Sequence, residues 1–239
     1  MHLQEIHFAS EKFPEVDYYP FNLEIFRRTS GLTFQKPVTY FIGENGTGKS
    51  TLLQAIALKC GIYIWQGYSR MRYEVSPYEK MLNRVIKVAW TNSKVPGSFF
   101  DSQLFRNFSQ LLDEWAVDDP GLLDYFGGKS LISQSHGQSL MAFFQSRFKL
   151  KGLYFLDEPE TALSPKSQLA LLKLLKDMGE AGKAQFIIAT HSPILLACPG
   201  AEIFSFDAIP VETITYEDTQ YYQIYKSFME NPSRYLNQL

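Results

Sequence analysis

The chain has 239 residues, 45% hydrophobic and 20% charged, with a formal charge of −2. That length can bury a substantial core, as one large domain or as a core with an inserted part, and the charge balance gives no global basic signature for nucleic acid. Cys60 and Cys198, the two cysteines, are too few for a disulfide framework and fit no metal-ligand spacing, which points to a reducing compartment.

The first fifteen residues carry acids where a secretion signal needs an apolar core, so a cytoplasmic location is expected. Residues 3–9 (LQEIHFA) and 37–42 (PVTYFI) read as strands. GENGTGKS, residues 43–50, follows directly and fits G-x-x-x-x-G-K-[S/T] at every fixed position. An apolar helix over residues 51–59 comes next, with Gly61 as its stop. Glycines in such a loop let successive backbone N–H groups converge on phosphate oxygens, and the helix N-terminus adds partial positive charge. Gly43, Glu44, Asn45, Gly46, Thr47, Gly48, Lys49, Ser50 and Thr51 are therefore the candidate nucleotide-binding residues. Lys49 would meet the β- and γ-phosphates, and the Ser50 hydroxyl would ligate Mg²⁺.

From residue 62 to about residue 126 the pattern is irregular and rich in Tyr, Phe and Trp. Between residues 61 and 110, seven basic side chains (Arg70, Arg72, Lys80, Arg84, Lys87, Lys94, Arg106) face three acids, with Tyr63, Trp65, Tyr68, Tyr73, Tyr78 and Trp90 interleaved. Single-stranded nucleic acid is a candidate partner for such a mixture. A small aromatic core with a solvated charged face has the same composition, and with no DNA- or RNA-binding motif present that plainer reading is preferred.

Order returns after SQSHGQSL, residues 133–140: a helix over 139–148, the strand GLYFL, a helix over 167–178 and the strand AQFIIA. Apolar strands alternating with helices indicate a mainly parallel sheet covered on both faces. EIFSF and VETITY read as edge strands, and a polar-aromatic helix begins near Thr219. The run 186–201 is too short and too broken by His191, Pro193 and Pro199 to span a bilayer, so no direct membrane insertion is expected.

The strand GLYFL ends in Asp157 and Glu158. An acid at the end of a strand neighbouring the phosphate loop is placed to hold Mg²⁺, the role given to Asp157. Glu158, one position on, is placed to activate the attacking water as a general base. His191 follows the next apolar strand, expected beside the Asp-Glu strand, where open parallel sheets bind ligands. Its imidazole could donate a hydrogen bond to the γ-phosphate.

GENGTGKST, SQSHGQS, LYFLDEPETALS and ATHSP, in this order, resemble the ATP-binding cassette (ABC) ATPases. The resemblance implies an α/β fold: a P-loop NTPase core with a mainly parallel sheet, flanking helices and an inserted helical, aromatic-rich subdomain. The core lobe is expected at about 1–61 and 150–239, and the insertion, carrying the signature, at about 62–149. In the family a Ser-Gly-Gly-Gln signature contacts the γ-phosphate held by the opposite subunit. Ser135, Gly137 and Gln138 stand at the matching positions, with His136 where the second-position glycine is usual. The resemblance also implies a glutamine that contacts Mg²⁺ and water; Gln103 is chosen, with Gln66 as competitor.

ETALSP lacks the aspartate usual in transporter cassettes, and both ends of the chain look like stand-alone ATPases of the RecF/SMC/OLD-like group. About 30 residues follow the last core strand, so a nuclease domain of the OLD type is not expected. The expected function is Mg²⁺-dependent ATP hydrolysis in a head-to-tail homodimer serving DNA maintenance or defence. The alternatives are an ATP-binding transporter subunit and a slow switch that recruits a partner protein.

Overall fold

A computed structural model describes residues 1–64, 76–78, 80–119, 121, 123 and 136–237, without the side chains of 103, 104, 106–111 and 136. In chain order the elements are β1 (Leu3–Phe8), α1 (Glu24–Arg28), β2 (Gly31–Thr33), β3 (Val38–Ile42), α2 (Lys49–Lys59) and α3 (Leu82–Val85). There follow β4 (Ile86–Trp90), β5 (Gly97–Asp101), α4 (Ser102–Asp118), α5 (His136–Arg147) and β6 (Gly152–Asp157). The chain continues through α6 (Pro165–Glu180), β7 (Ala184–Ala189), α7 (Pro193–Leu196), β8 (Glu202–Ser205), β9 (Glu212–Thr213), α8 (Gln220–Glu230) and α9 (Ser233–Leu236). Among these helices none is long and apolar enough to cross a membrane.

A six-stranded sheet runs β5-β6-β7-β3-β8-β9; all its pairs are parallel except β8 with β9. Every residue of β3, β6 and β7 is buried, as strands covered on both faces require. Alternate side chains divide between two cores, following the two-residue strand period. Phe41, Leu153, Phe155 and Ile187 pack with Leu52, Leu53 and Ile56 of α2. Tyr40, Ile42, Tyr154, Leu156 and Phe186 pack with Phe144 and Phe148 of α5 and Leu171 and Leu175 of α6. The ring of Phe148 lies 4.9 Å from those of both Tyr154 and Phe186. Gly61 stops α2 as expected: at φ +70° it lets its own N–H reach Leu58 O and that of Ile62 reach Ala57 O, each at 2.9 Å.

Three features depart from the local pattern. First, β1 joins β2 and β4 in a separate three-stranded antiparallel sheet. Second, β4 and β5 lie within the range 62–149 expected as an insertion, yet they hydrogen-bond to β1 and β6 of the core range. Their mixed aromatic, polar and glycine sequence hides this, because β5 is an edge strand buried fully only at Phe100. Third, the Asp-Glu strand β6 is not the immediate neighbour of the phosphate-loop strand: β7 separates β6 from β3. Three strands buried on both faces look alike in sequence, so their lateral order is not written in their periodicity.

Gln185 on β7 joins the two sheets. Fully buried, it accepts from the N–H groups of His2 and Leu3 through Oε1, both at 2.8 Å, and donates to Leu3 O at 2.9 Å. Gln185→Leu keeps the bulk and orphans all three groups, each worth about 1–3 kcal/mol when left unsatisfied. A lower urea midpoint with an unchanged m value is expected. An unchanged midpoint would show that the two sheets do not depend on this link.

Candidate functional site

The carboxyl ends of β3, β6, β7 and β8 converge on the start of α2. Gly48 caps α2 in a left-handed conformation (φ +99°), and a Cβ there would come within 2.7 Å of Phe26 Cζ, so only glycine is accommodated. Gly43 and Gly46 also have positive φ, while Glu44, Asn45 and Gly46 form the exposed crest of the loop. Two side chains brace it: Thr47 Oγ1 donates to Glu44 O at 2.9 Å, and Asp207 Oδ1 accepts from Glu44 N at 2.8 Å.

Lys49 is 5% exposed and folds back over its own loop, donating to Gly43 O at 2.6 Å and Glu44 O at 2.8 Å. Burial lowers its pKa, opposed by the charges of Glu158, Asp207, Asp157 and Glu44. One residue on, the Ser50 hydroxyl donates to Asp157 Oδ1 at 2.8 Å. Helix α2 and strand β6 thus bring these two together although β7 lies between β6 and β3. Thr51 Oγ1 hydrogen-bonds to the hydroxyl of Tyr19. Of the nearby aromatics, Tyr18 is exposed, whereas Phe21 is fully buried in the core and has no face to offer an adenine.

Asp157 is paired in register with Asp101 at the end of β5. Burial pushes its pKa up to about 7; Asp101 and Glu158 add to the shift, while the Ser50 hydrogen bond and Lys49 oppose it. A hydroxyl and a carboxylate already in contact, with a second acid beside them, make an all-oxygen donor set suited to Mg²⁺. Among the described residues no group of three or more His, Cys, Asp or Glu could cage a metal alone. Mg²⁺ is typically held by one or two side chains together with waters and substrate phosphates.

Glu158 is the one non-glycine among the described residues with positive φ (φ 45°, ψ 54°). Such a conformation persists only where its surroundings over-determine it. Its N–H is held by Ala189 O at 2.9 Å, and its carbonyl accepts from Thr161 Oγ1 at 2.9 Å and Thr161 N at 3.2 Å. Pro159 then opens a short 3-10 turn, Pro159–Ala162.

His191 follows β7, which pairs directly with β6 as the sequence suggests. Its N–H donates to Glu160 Oε1 at 2.6 Å and its Nδ1 lies 2.7 Å from the Tyr221 hydroxyl. Its Nε2 lies 3.7 Å from Glu158 Oε1. Burial lowers the ring's pKa and Lys49 adds to this, against Glu158, Glu44 and Asp207.

The structure thus gathers the phosphate loop, Asp157, Glu158 and His191 at one end of the sheet. Gly137 and Gln138 open α5, where Gly137 is half-buried against Ala162 O and Gln138 is exposed. Gln103 is the second residue of α4, two positions after Asp101. The side chains of Gln103 and His136, and the whole of Gln66 and Ser135, lie outside the described residues. Sequence reasoning missed Asp101, Glu160, Asp207 and Tyr221. Asp101 and Asp207 obey the rule that found Asp157, an acid at the carboxyl end of a core strand. No sequence signal announces Tyr221, which lies 178 positions from its partner Gly43.

Two family models match parts of the chain: "AAA domain, putative AbiEii toxin, Type IV TA system" over residues 138–197 and "AAA domain" over residues 21–63. The energy-coupling factor transporter ATP-binding protein EcfA2 of Staphylococcus saprophyticus is 27% identical over 205 residues, 75% of this chain and 70% of the relative. Among solved structures, a nucleotide-free ATP-binding cassette from an ABC transporter superposes with a TM-score of 0.52 at 14% identity, covering 98% of this chain and 97% of the other. An SMC head bound to the C-winged helix domain of ScpA gives a TM-score of 0.50 at 13% identity, covering 90% and 98%. Fold and phosphate loop together define a P-loop nucleoside triphosphatase. Within that class the chain is an ATPase similar to ATP-binding proteins of the ABC type.

Proposed function

We propose that this ATPase works as a cytoplasmic, non-transporter enzyme whose ATP is closed between two copies arranged head to tail. The observation that carries the catalytic part is the convergence of Ser50, Asp157, Glu158 and His191 on the loop held by Lys49. In this reading residues 43–51 and the Lys49 ammonium bind the triphosphate. Ser50 and Asp157, with Gln103, hold Mg²⁺, which when bound neutralises charge on the β- and γ-phosphates. Glu158 takes a proton from the attacking water, and His191 serves the γ-phosphate end of the site. Ser135, Gly137 and Gln138 of the second copy close over the γ-phosphate, so an isolated monomer hydrolyses ATP poorly.

The non-transporter role is supported by ETALSP, which lacks the usual transporter aspartate. Both free cysteines are buried thiols, compatible with a reducing cytoplasm. A role in nucleic-acid maintenance or defence is tested by ATP turnover with single-stranded DNA, duplex DNA and RNA. Stimulation by one of them is the expected result. No stimulation, together with co-purification of a polytopic membrane protein, would favour a transporter subunit. Tight ATP binding with negligible turnover would mark a switch that recruits a partner protein.

A further inference from the structure

The carbonyl oxygen of Gly43 receives two donors, Lys49 Nζ at 2.6 Å and the Tyr221 hydroxyl at 2.9 Å. A carbonyl can only accept, so the single phenolic proton of Tyr221 is committed to that bond. The Tyr221 oxygen is also 2.7 Å from His191 Nδ1. With its proton spent on Gly43, this oxygen can only accept from the imidazole, and Nδ1 must carry the hydrogen. We propose that Tyr221 is a positioning residue that holds neutral His191 in its Nδ1–H form, leaving Nε2 as a lone-pair acceptor, and ties the ring to the first carbonyl of the phosphate loop.

The other side of the ring supports this independently. His191 Nε2 is buried and has no hydrogen-bond partner among the described residues. Its separation of 3.7 Å from Glu158 Oε1 is too long for a hydrogen bond. An Nε2–H would be drawn to that carboxylate, whereas a lone pair gains nothing by closing the gap. Tyr221 is held firmly: buried Thr219 caps α8 by accepting from Tyr222 N at 3.2 Å and donates to Tyr216 O at 2.7 Å. The Tyr221 ring stands edge-on to His191, at 80° and 5.3 Å between centroids. Burial, with Asp207 and Glu44, pushes the phenol's pKa up to about 12, so its hydroxyl keeps its proton.

The inference adds a condition to the sequence-based expectation for His191. A neutral ring bonded to Tyr221 through Nδ1–H cannot donate from Nε2 to a phosphate oxygen; it must first gain a proton. The inference deepens the proposed function and rests on His191 serving the phosphoryl-transfer site.

The test is a long-range ¹H–¹⁵N correlation spectrum of the ¹⁵N-labelled full chain without nucleotide, with His191 signals assigned by their loss in His191→Asn. The wild type should show a neutral ring protonated on Nδ1. In Tyr221→Phe the Nδ1 partner is gone, and the ring should shift toward Nε2–H donating to Glu158. Turnover should fall about 10–100-fold, as for displaced supporting groups elsewhere, with KM for ATP within about twofold. An Nε2–H ring in the wild type, or the same tautomer in both proteins, overturns the inference. The turnover of His191→Asn decides the underlying reading separately: activity equal to wild type would remove His191 from the site chemistry without touching the tautomer result.

Discussion

Glu158→Gln should lower ATP turnover by about 10²–10⁴-fold, the contribution expected of a positioned general base, while nucleotide affinity stays close to wild type. The amide keeps the size and planarity of the carboxylate, so the strained backbone at φ 45° and its bonds to Ala189 and Thr161 should persist. What is lost is the capacity to take a proton. With cleavage blocked, the ATP-bound state accumulates, and in the proposed arrangement that state is a pair of chains. Light scattering at saturating ATP and Mg²⁺ should therefore report twice the monomer mass for the variant, with far less dimer in ADP. Turnover within about twofold of wild type would remove Glu158 as the base. A blocked enzyme that remains monomeric would sink the two-copy sandwich and leave the assignment of the base intact.

Lys49→Ala should weaken ATP binding by about 30-fold to several thousandfold, from the 2–5 kcal/mol that truncating one partner of a buried charge pair typically costs. The ammonium sits on the carbonyls of Gly43 and Glu44, beside the place where phosphate charge would enter. Alanine removes this cation from a site where Asp157, Glu158, Asp207 and Glu44 all act on it, so the remaining field repels a triphosphate. Affinity is read by titrating a fluorescent ATP analogue, and an unfolding curve checks that the loop and α2 remain folded. Undiminished affinity would overturn the phosphate-loop assignment.

Parts of the site that depend on local backbone chemistry were legible in the sequence. GENGTGKS needs glycines where φ is positive, and Gly43, Gly46 and Gly48 supply them. Gly61 ends α2 for the same reason. The mostly apolar runs of β3, β6 and β7 announced strands covered on both faces, and the acids and histidine at their ends pointed to a ligand end. Each of these depends on neighbours within a few residues.

Tertiary structure decided what depends on distant partners. Strand order placed β7 between β3 and β6, and only α2 reaching across brings Ser50 to Asp157. Burial at the end of β6 raises the pKa of Asp157, and the register of β5 on β6 sets Asp101 beside it to add to the shift. Tyr221 lies in a surface helix whose pattern gives no sign of a site, yet it reaches both Gly43 and His191. The sequence by itself determined the nucleotide-binding loop, the α/β class and the acids at strand ends, because steric demands and burial periodicity are local. It could not determine which strand ends meet or which proton His191 carries. Those follow from long-range packing and hydrogen-bond directions that exist only once the chain has closed on itself.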